Sequence, residues 1–379
     1  MANDKDFLLK NAVEVGKDIK VTLGSITSSD IDLATGNYFA DTLAANTTYT
    51  ISNAGDVQSF QLEVTGGALG YGLNNANYDS KSFSVAGQDT NPTGLAFKAD
   101  GTKVYIAGNG TDSVYQYSLS TAWDISTASY DSVSFSLSSQ DTSPSGPTFK
   151  PDGTSFYIVG SIGTRVYQYT LSTAWDLSTA SYASKSFLYS SQEGGMEHVR
   201  LKTDGTKMYL IGADTDAVYQ YSLSTAWDVS TASYDSVSFS VASEELSSRT
   251  FDFNSDGSSF FIVGDTNSTV YQYDLSTAWD LSTASYSGVS FSVSAQETTP
   301  RALSFGNSGT KMYTAGSTND TIYQYSTISA ALVTWPSSIE WAGGVAPSAP
   351  ATGETDVFTF VTDDGGTSYV GLKTADNLS

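Results

Sequence analysis

Short runs in which aromatic and β-branched residues alternate with Ser, Thr and Lys recur through the middle of the chain. Residues 81 to 86 (KSFSVA), 93 to 98 (TGLAFK), 103 to 108 (KVYIAG) and 113 to 119 (SVYQYSL) form one such group, and a period of two over runs of this length predicts β-strands. Between the second and third runs stands Asp100-Gly101, followed along the chain by Asp152-Gly153, Asp204-Gly205, Asp256-Gly257 and Ser308-Gly309. A glycine at that place supplies the positive φ of a tight hairpin. No segment sustains a 3.6-residue apolar period, so few helices are expected.

The pattern is periodic on a longer scale. The tetrapeptide TAWD places Trp123, Trp175, Trp227 and Trp279 at intervals of 52, and the segment [VI]YQY puts Tyr115, Tyr167, Tyr219, Tyr271 and Tyr323 at the same interval. Four antiparallel strands per unit and a period near 50 residues predict the blades of a β-propeller. The fifth copy stops after Tyr325, without its TAWD connection and without its SFSV strand. Both missing pieces stand at the front: Ser82 to Val85 reads SFSV, and Tyr71 lies 52 positions before Trp123. The N-terminal strand is therefore expected to complete the last blade, which closes a five-bladed ring and leaves no free sheet edge. The tyrosines and tryptophans of the repeat are read as core and as anchors of the long connection, the Asp of TAWD capping a turn.

The flanks differ from the blades, and each lacks what the other has. Residues 48 to 52 and 57 to 65 read as strands, as do 331 to 335, 357 to 362 and 367 to 373. Neither flank alone has enough strands for an independent fold, whereas a closed propeller inserts into a surface hairpin at little cost. The expected organisation is all-β: an N-terminal arm over 1–15, a discontinuous β-sandwich from 16–66 and 331–379, and a five-bladed propeller over 67–330. The two flanks, around Trp335-Pro336, Trp341-Ala342-Gly343-Gly344 and Asp363 to Gly366, resemble the small β-sandwich module of structural proteins from tailed bacteriophages, especially marine and cyanobacterial ones. The blades resemble repeats found in phage and environmental bacterial sequences. The resemblance implies a virion protein of the tail-fibre or capsid-decoration kind.

Charge and composition narrow the partners. Forty acidic residues against 17 basic ones give a net charge of −23, which repels nucleic-acid phosphates and anionic lipid headgroups. Cysteine is absent, so packing alone must hold the fold. The N-terminus has no secretory signal and no window approaches a membrane span, so the chain is expected to be made in a cytoplasm; that it ends in the virion of a phage made in its host is what the resemblance implies. With one histidine, His198, and no cysteine, metal clusters of His/Cys type and thiol nucleophiles are excluded. His198 occupies a column otherwise filled by Gly94, Gly146, Thr250 and Ala302, where a repacked core explains it more simply than a catalytic base does.

The candidate binding residues come from comparing copies. The loop before each inner strand has an acid at its second position: Asp89, Asp141, Glu193, Glu245 and Glu297. As a ring on one face these carboxylates could hold a hard cation such as Ca²⁺ or meet a basic partner; alternatively each caps its own turn. The next column, Thr93, Ser145, Glu197, Arg249 and Arg301, varies most in charge. Further along, Arg200 and Asp252 are equivalents in adjacent blades and are expected to pair. The resulting reading is a non-enzymatic virion surface protein whose rim (Asp89, Asp141, Glu193, Glu197, Glu245, Arg249, Glu297, Arg301) meets a host-surface glycan or protein, with sandwich and arm docked on other virion proteins. The alternatives are a decoration protein without a ligand and, further off, a propeller glycoside hydrolase, for which no matched pair of carboxylates stands out. A homo-oligomer would suit a fibre, although no heptad or collagen-like stalk is present to drive one.

Overall fold

A computed structural model describes residues 22–43, 47–66, 68–330, 332–351 and 353–378; the 1–15 segment expected as an arm lies outside the described residues. The protein is all-β, and its helical content among these residues is limited to single 3₁₀ turns. It divides into two compact units, one from residues 1–68 and 330–379 and the other from 69–329.

In the discontinuous unit, Gln58–Thr65 pairs antiparallel with Thr355–Thr362 at the centre of a five-stranded sheet, so the two flanks are joined by main-chain bonds. Tyr38–Thr42, Tyr369–Leu378 and Ile339–Trp341 complete that sheet. Alternation along the central strands turns Phe60, Leu62, Val64, Phe358 and Phe360 inward, and Trp335 packs edge-on against Trp341 and Phe358 with ring centres 5.0 and 4.8 Å apart.

The repeat unit consists of five four-stranded antiparallel sheets. The first runs from an inner strand Pro92–Phe97 through Lys103–Gly108 and Ser113–Leu119 to an outer strand Ala128–Ser136. The three sheets that follow repeat it at 52-residue spacing. The fifth draws Pro300–Gly306, Lys311–Gly316 and Thr321–Ser326 from its own copy and takes Asn77–Ser84 from the front of the chain as its outer strand. The inner strands lie side by side in order, and the fifth returns to the first. Between neighbouring sheets sits a hydrophobic cluster; Leu95, Val104 and Ile106, for example, pack with Ala302, Tyr313 and Ile322 across the fifth-to-first junction. Each fully buried Leu, Val or Ile among them contributes roughly 1.5–3 kcal/mol.

Two recurring hydrogen bonds fasten four of the five sheets to the connection of the next. The second-strand tyrosines Tyr105, Tyr157, Tyr209 and Tyr313 donate to the carbonyls of Trp175, Trp227, Trp279 and Trp123 at 2.6–2.9 Å. The glutamines of YQY accept from the 3₁₀ turn that follows, Gln116 from Leu177 and Gln324 from Ile125, both at 2.9 Å. Every one of these tryptophans holds a positive φ of 63–66°, a costly conformation for a bulky residue. It is held in place because its N–H donates to the hairpin glycine's carbonyl, 3.1 Å in the case of Trp123 and Gly101, while the indole covers that glycine so closely that a Cβ there would stand 2.3 Å from the ring. Asp124, the Asp of TAWD, caps the 3₁₀ turn by accepting from the Ser126 N–H and hydroxyl. The fourth-to-fifth junction differs: Phe261 replaces the tyrosine and stacks on Tyr71 at 5.8 Å, and Gln272 donates to Asp274 in its own sheet.

Candidate functional site

The inner strands converge, and their variable columns meet. The middle column is filled by His198, which is fully buried. It fits because the equivalent position in the preceding copy is Gly146, where a Cβ would lie 2.0 Å from the imidazole. Its Nε2 receives Arg200 Nη1 at 2.6 Å; a guanidinium can only donate, so the ring proton sits on Nδ1 and faces Thr250 Oγ1. Burial, and then the neighbouring Arg200 charge, hold the His198 pKa well below its ordinary value. The ring is therefore a neutral packing element closed off from solvent.

Arg200 ties four of the five sheets together. Besides His198 in its own sheet, Nη1 donates to Thr148 Oγ1 in the second sheet (2.8 Å), Nε to Asp252 Oδ1 in the fourth (2.9 Å) and Nη2 to the Leu303 carbonyl in the fifth (3.2 Å). Asp252 also accepts from the Phe253 and Phe305 N–H groups, each at 3.0 Å. The expected Arg200–Asp252 pair is thus present, with a reach across the strands that register alone does not convey. Beside it opens a cavity of about 220 Å³ to which every inner strand contributes, lined among others by Phe97, Thr148, Arg200, Asp252 and Ser304 together with Trp227.

The charged column forms a second network. Arg249 Nη1 meets Glu197 Oε1 at 2.8 Å, its Nε meets Asp265 Oδ2 at 2.7 Å, and Arg301 Nη2 approaches the same oxygen at 3.4 Å. Desolvation raises the Glu197 pKa against the pull of Arg249 and Arg301. Asp265 went unnoticed in the sequence, although it is the only acid in a column that otherwise reads Asn109, Ser161, Ala213 and Ser317. Thr93 and Ser145 of this column are buried and bond to neighbouring main chain.

The carboxylate ring needs correction. Asp89, Asp141, Glu193, Glu245 and Glu297 are between 0% and 5% exposed, and each is taken up by donors of its own sheet. Asp89 accepts from the Asn91 and Gly110 N–H groups and from Thr111 Oγ1, and Glu245 from the Ser247, Thr266 and Asn267 N–H groups. Asp141 is bound by Ser143 and Gly163, Glu193 by Gly194 and Thr215, and Glu297 by Thr299, Thr318 and Asn319. Among the described residues no three His, Asp or Glu side chains gather to hold a metal ion. These acids splice a loop to a hairpin rather than presenting an open rim, because satisfying several buried N–H groups outweighs facing solvent.

What the geometry defines is an all-β protein of repeated four-stranded sheets with a polar, variable core where the inner strands meet. The chain matches no protein-family model and no curated protein. Among solved structures it is similar to "a putative 6-phosphogluconolactonase" from Bacteroides uniformis, at 14% identity and a TM-score of 0.40, with 61% of this chain and 65% of that one covered. A second, from Bacteroides fragilis and described in the same words, gives 14% identity and a TM-score of 0.39 over 76% of this chain and 71% of that one. The chain spans just under two thirds of the first of these proteins. The expectation that the chain is not an enzyme is corrected on this point: the solved structures it is similar to are described as enzymes, so the assignment to a non-enzymatic class is withdrawn. No helix among the described residues is long and apolar enough to cross a membrane.

Proposed function

We propose that the five sheets are the blades of a closed five-bladed propeller inserted near residue 67 into a discontinuous β-sandwich, and that the protein is a phage virion component that displays this propeller toward the host surface. The sandwich and the N-terminal segment would be its attachment to other virion proteins, as the resemblance of the flanks implies. The observation that carries the display reading is the division of labour between columns. Residues repeated in every copy are spent on packing and on sheet-to-sheet bonds, whereas the inner strands carry sharp differences in charge between copies, around Glu197, Arg200, Arg249, Asp252 and Arg301. Duplication explains sameness; a specific surface requires difference. Labelled protein incubated with susceptible host cells should adsorb to them and compete with phage adsorption. Binding to virions alone, with no binding to cells, would favour a decoration role and defeat the display reading.

A further inference from the structure

The cavity beside Arg200 is built as a receptor rather than left as a packing fault. Its size, about 220 Å³, falls below the ~300 Å³ at which pockets for drug-sized ligands begin, so one ring fills it. Its walls are of two kinds. Phe97, Phe149 and Trp227 give aromatic faces. The rest of the lining includes hydrogen-bonding groups with capacity left over. Of the five guanidinium N–H groups, Arg200 commits Nε to Asp252, both Nη1 protons to Thr148 and His198, and one Nη2 proton to Leu303; one Nη2 N–H stays uncommitted on a side chain only 11% exposed. Ser304 Oγ makes a single long contact, 3.4 Å, to the Phe305 carbonyl.

Charge decides what kind of ring. Asp252 balances Arg200, and the two lysines on the nearby hairpins are already paired, Lys150 with Asp152 at 2.7 Å and Lys202 with Asp204 at 2.8 Å. A carboxylate or phosphate would find no free cation and would face a chain of charge −23. A purely apolar ring would strand the buried Arg200 N–H, at a cost of roughly 1–3 kcal/mol. A ligand with one apolar face and an edge of hydroxyls meets both walls. We infer that this cavity binds a single uncharged sugar ring, the terminal or branch residue of a neutral glycan.

This deepens the display reading and rests on it for its biological setting, but it is tested separately. Glucose, galactose and mannose are titrated into the full chain, with N-acetylneuraminic acid and gluconate as charged comparisons, and amide shifts are followed by NMR. At least one neutral hexose should bind saturably and move the signals of Phe97, Arg200 and Trp227, and the acidic sugars should bind at least 10-fold more weakly. Ala96→Leu, a half-buried position on the cavity wall, should weaken binding at least 10-fold; Thr203→Trp, from an exposed position at its edge, provides an independent block should the first variant fold poorly. Absence of binding by all three hexoses, equal binding of the acids, or undiminished binding to both variants would overturn the assignment. If hexose binds at the cavity while adsorption to host cells is absent, the sugar site stands and the display reading falls; if no hexose binds while the protein adsorbs to cells, the sugar assignment falls and the display reading stands.

Discussion

Replacing Arg200 by methionine removes five donors while keeping most of the side chain's volume, and the structure allows its cost to be worked out. The substitution cuts bonds to the second, third, fourth and fifth sheets. It leaves Asp252, whose side chain is 16% exposed, as an unpaired carboxylate, and His198 Nε2 without a donor. Breaking a buried pair from one side costs about 3–5 kcal/mol; because Asp252 keeps two backbone N–H donors, a loss near the lower end, about 3 kcal/mol, is expected. Arg249→Met removes a side chain that is 21% exposed and leaves Arg301 beside Asp265, so about 1–2 kcal/mol is expected there, toward the surface-pair regime. Urea unfolding at pH 7, followed by tryptophan emission, should show a larger drop in midpoint for Arg200→Met, with part of it recovered in the Arg200→Met, Asp252→Asn double variant. Equal losses at the two arginines, or no recovery in the double variant, would refute the hub. The pH dependence adds a second check. His198 has a folded pKa below its unfolded one, so below about pH 6.5 the unfolded chain takes up a proton that the folded one refuses. Stability therefore falls as pH drops, by up to about 1.4 kcal/mol per unit, and removal of the Arg200 charge, by raising the folded pKa, should end that fall at a higher pH.

Other consequences can be measured on the same footing. Tyr209→Phe removes the 2.6 Å bond to the Trp279 carbonyl and should cost about 1 kcal/mol, whereas Phe261→Tyr, which adds a hydroxyl at the one junction built without it, should be neutral or stabilising; a loss at Phe261→Tyr as large as that at Tyr209→Phe would show that the junctions are not equivalent in geometry. Asp79 is desolvated, yet hydrogen bonds from Lys311, Ser326 and Gln324 bring its pKa below normal. Its contribution is present above the usual aspartate pKa and lost as pH falls through the lower folded value, so an acid melt should show Asp79→Asn converging with the parent below about pH 4. Because the five loop carboxylates are occupied by N–H and hydroxyl donors, millimolar Ca²⁺ or EDTA should leave the melting temperature unchanged; a rise with Ca²⁺ would mean that the loops rearrange to bind it.

Much of the fold was legible because duplication prints the same local instructions repeatedly. The Asp-Gly hairpins, the YQY strands and the stray SFSV segment at Ser82 each carried strand or turn chemistry that local rules read directly, and the outer strand Asn77–Ser84 does pair with Thr321–Ser326. The site was less legible. Spacing put Arg200 beside Asp252, since equivalent positions in adjacent copies are neighbours, but nothing in a linear pattern says that a guanidinium extends to the Leu303 carbonyl in a different sheet. The loop acids are legible as a column but their direction is not: a repeated charge open to a cation or partner and a repeated cap read alike until the N–H groups of a distant hairpin, such as Gly110 around Asp89, are in view. Asp265 was missed for a related reason, because its partners Arg249 and Arg301 come from two other strands.

The pairing of Asn77–Ser84 with Thr321–Ser326 also has a mechanical meaning. The chain passes into the repeat unit at Leu69 and out of it at Ser329, and the register sets Asn77 opposite Ser326 and Ser84 opposite Thr321. Tension applied across those two points therefore loads the ladder from one end and peels its rungs in succession, Ser326 from Asn77 first and Thr321 from Ser84 last, instead of sharing the load among all of them at once. Covalent continuity holds the other four sheets through their own hairpins, so the strand borrowed from the front of the chain is the one a pull would release first, with the Lys311–Asp79 ion pair at 2.6 Å as an early catch.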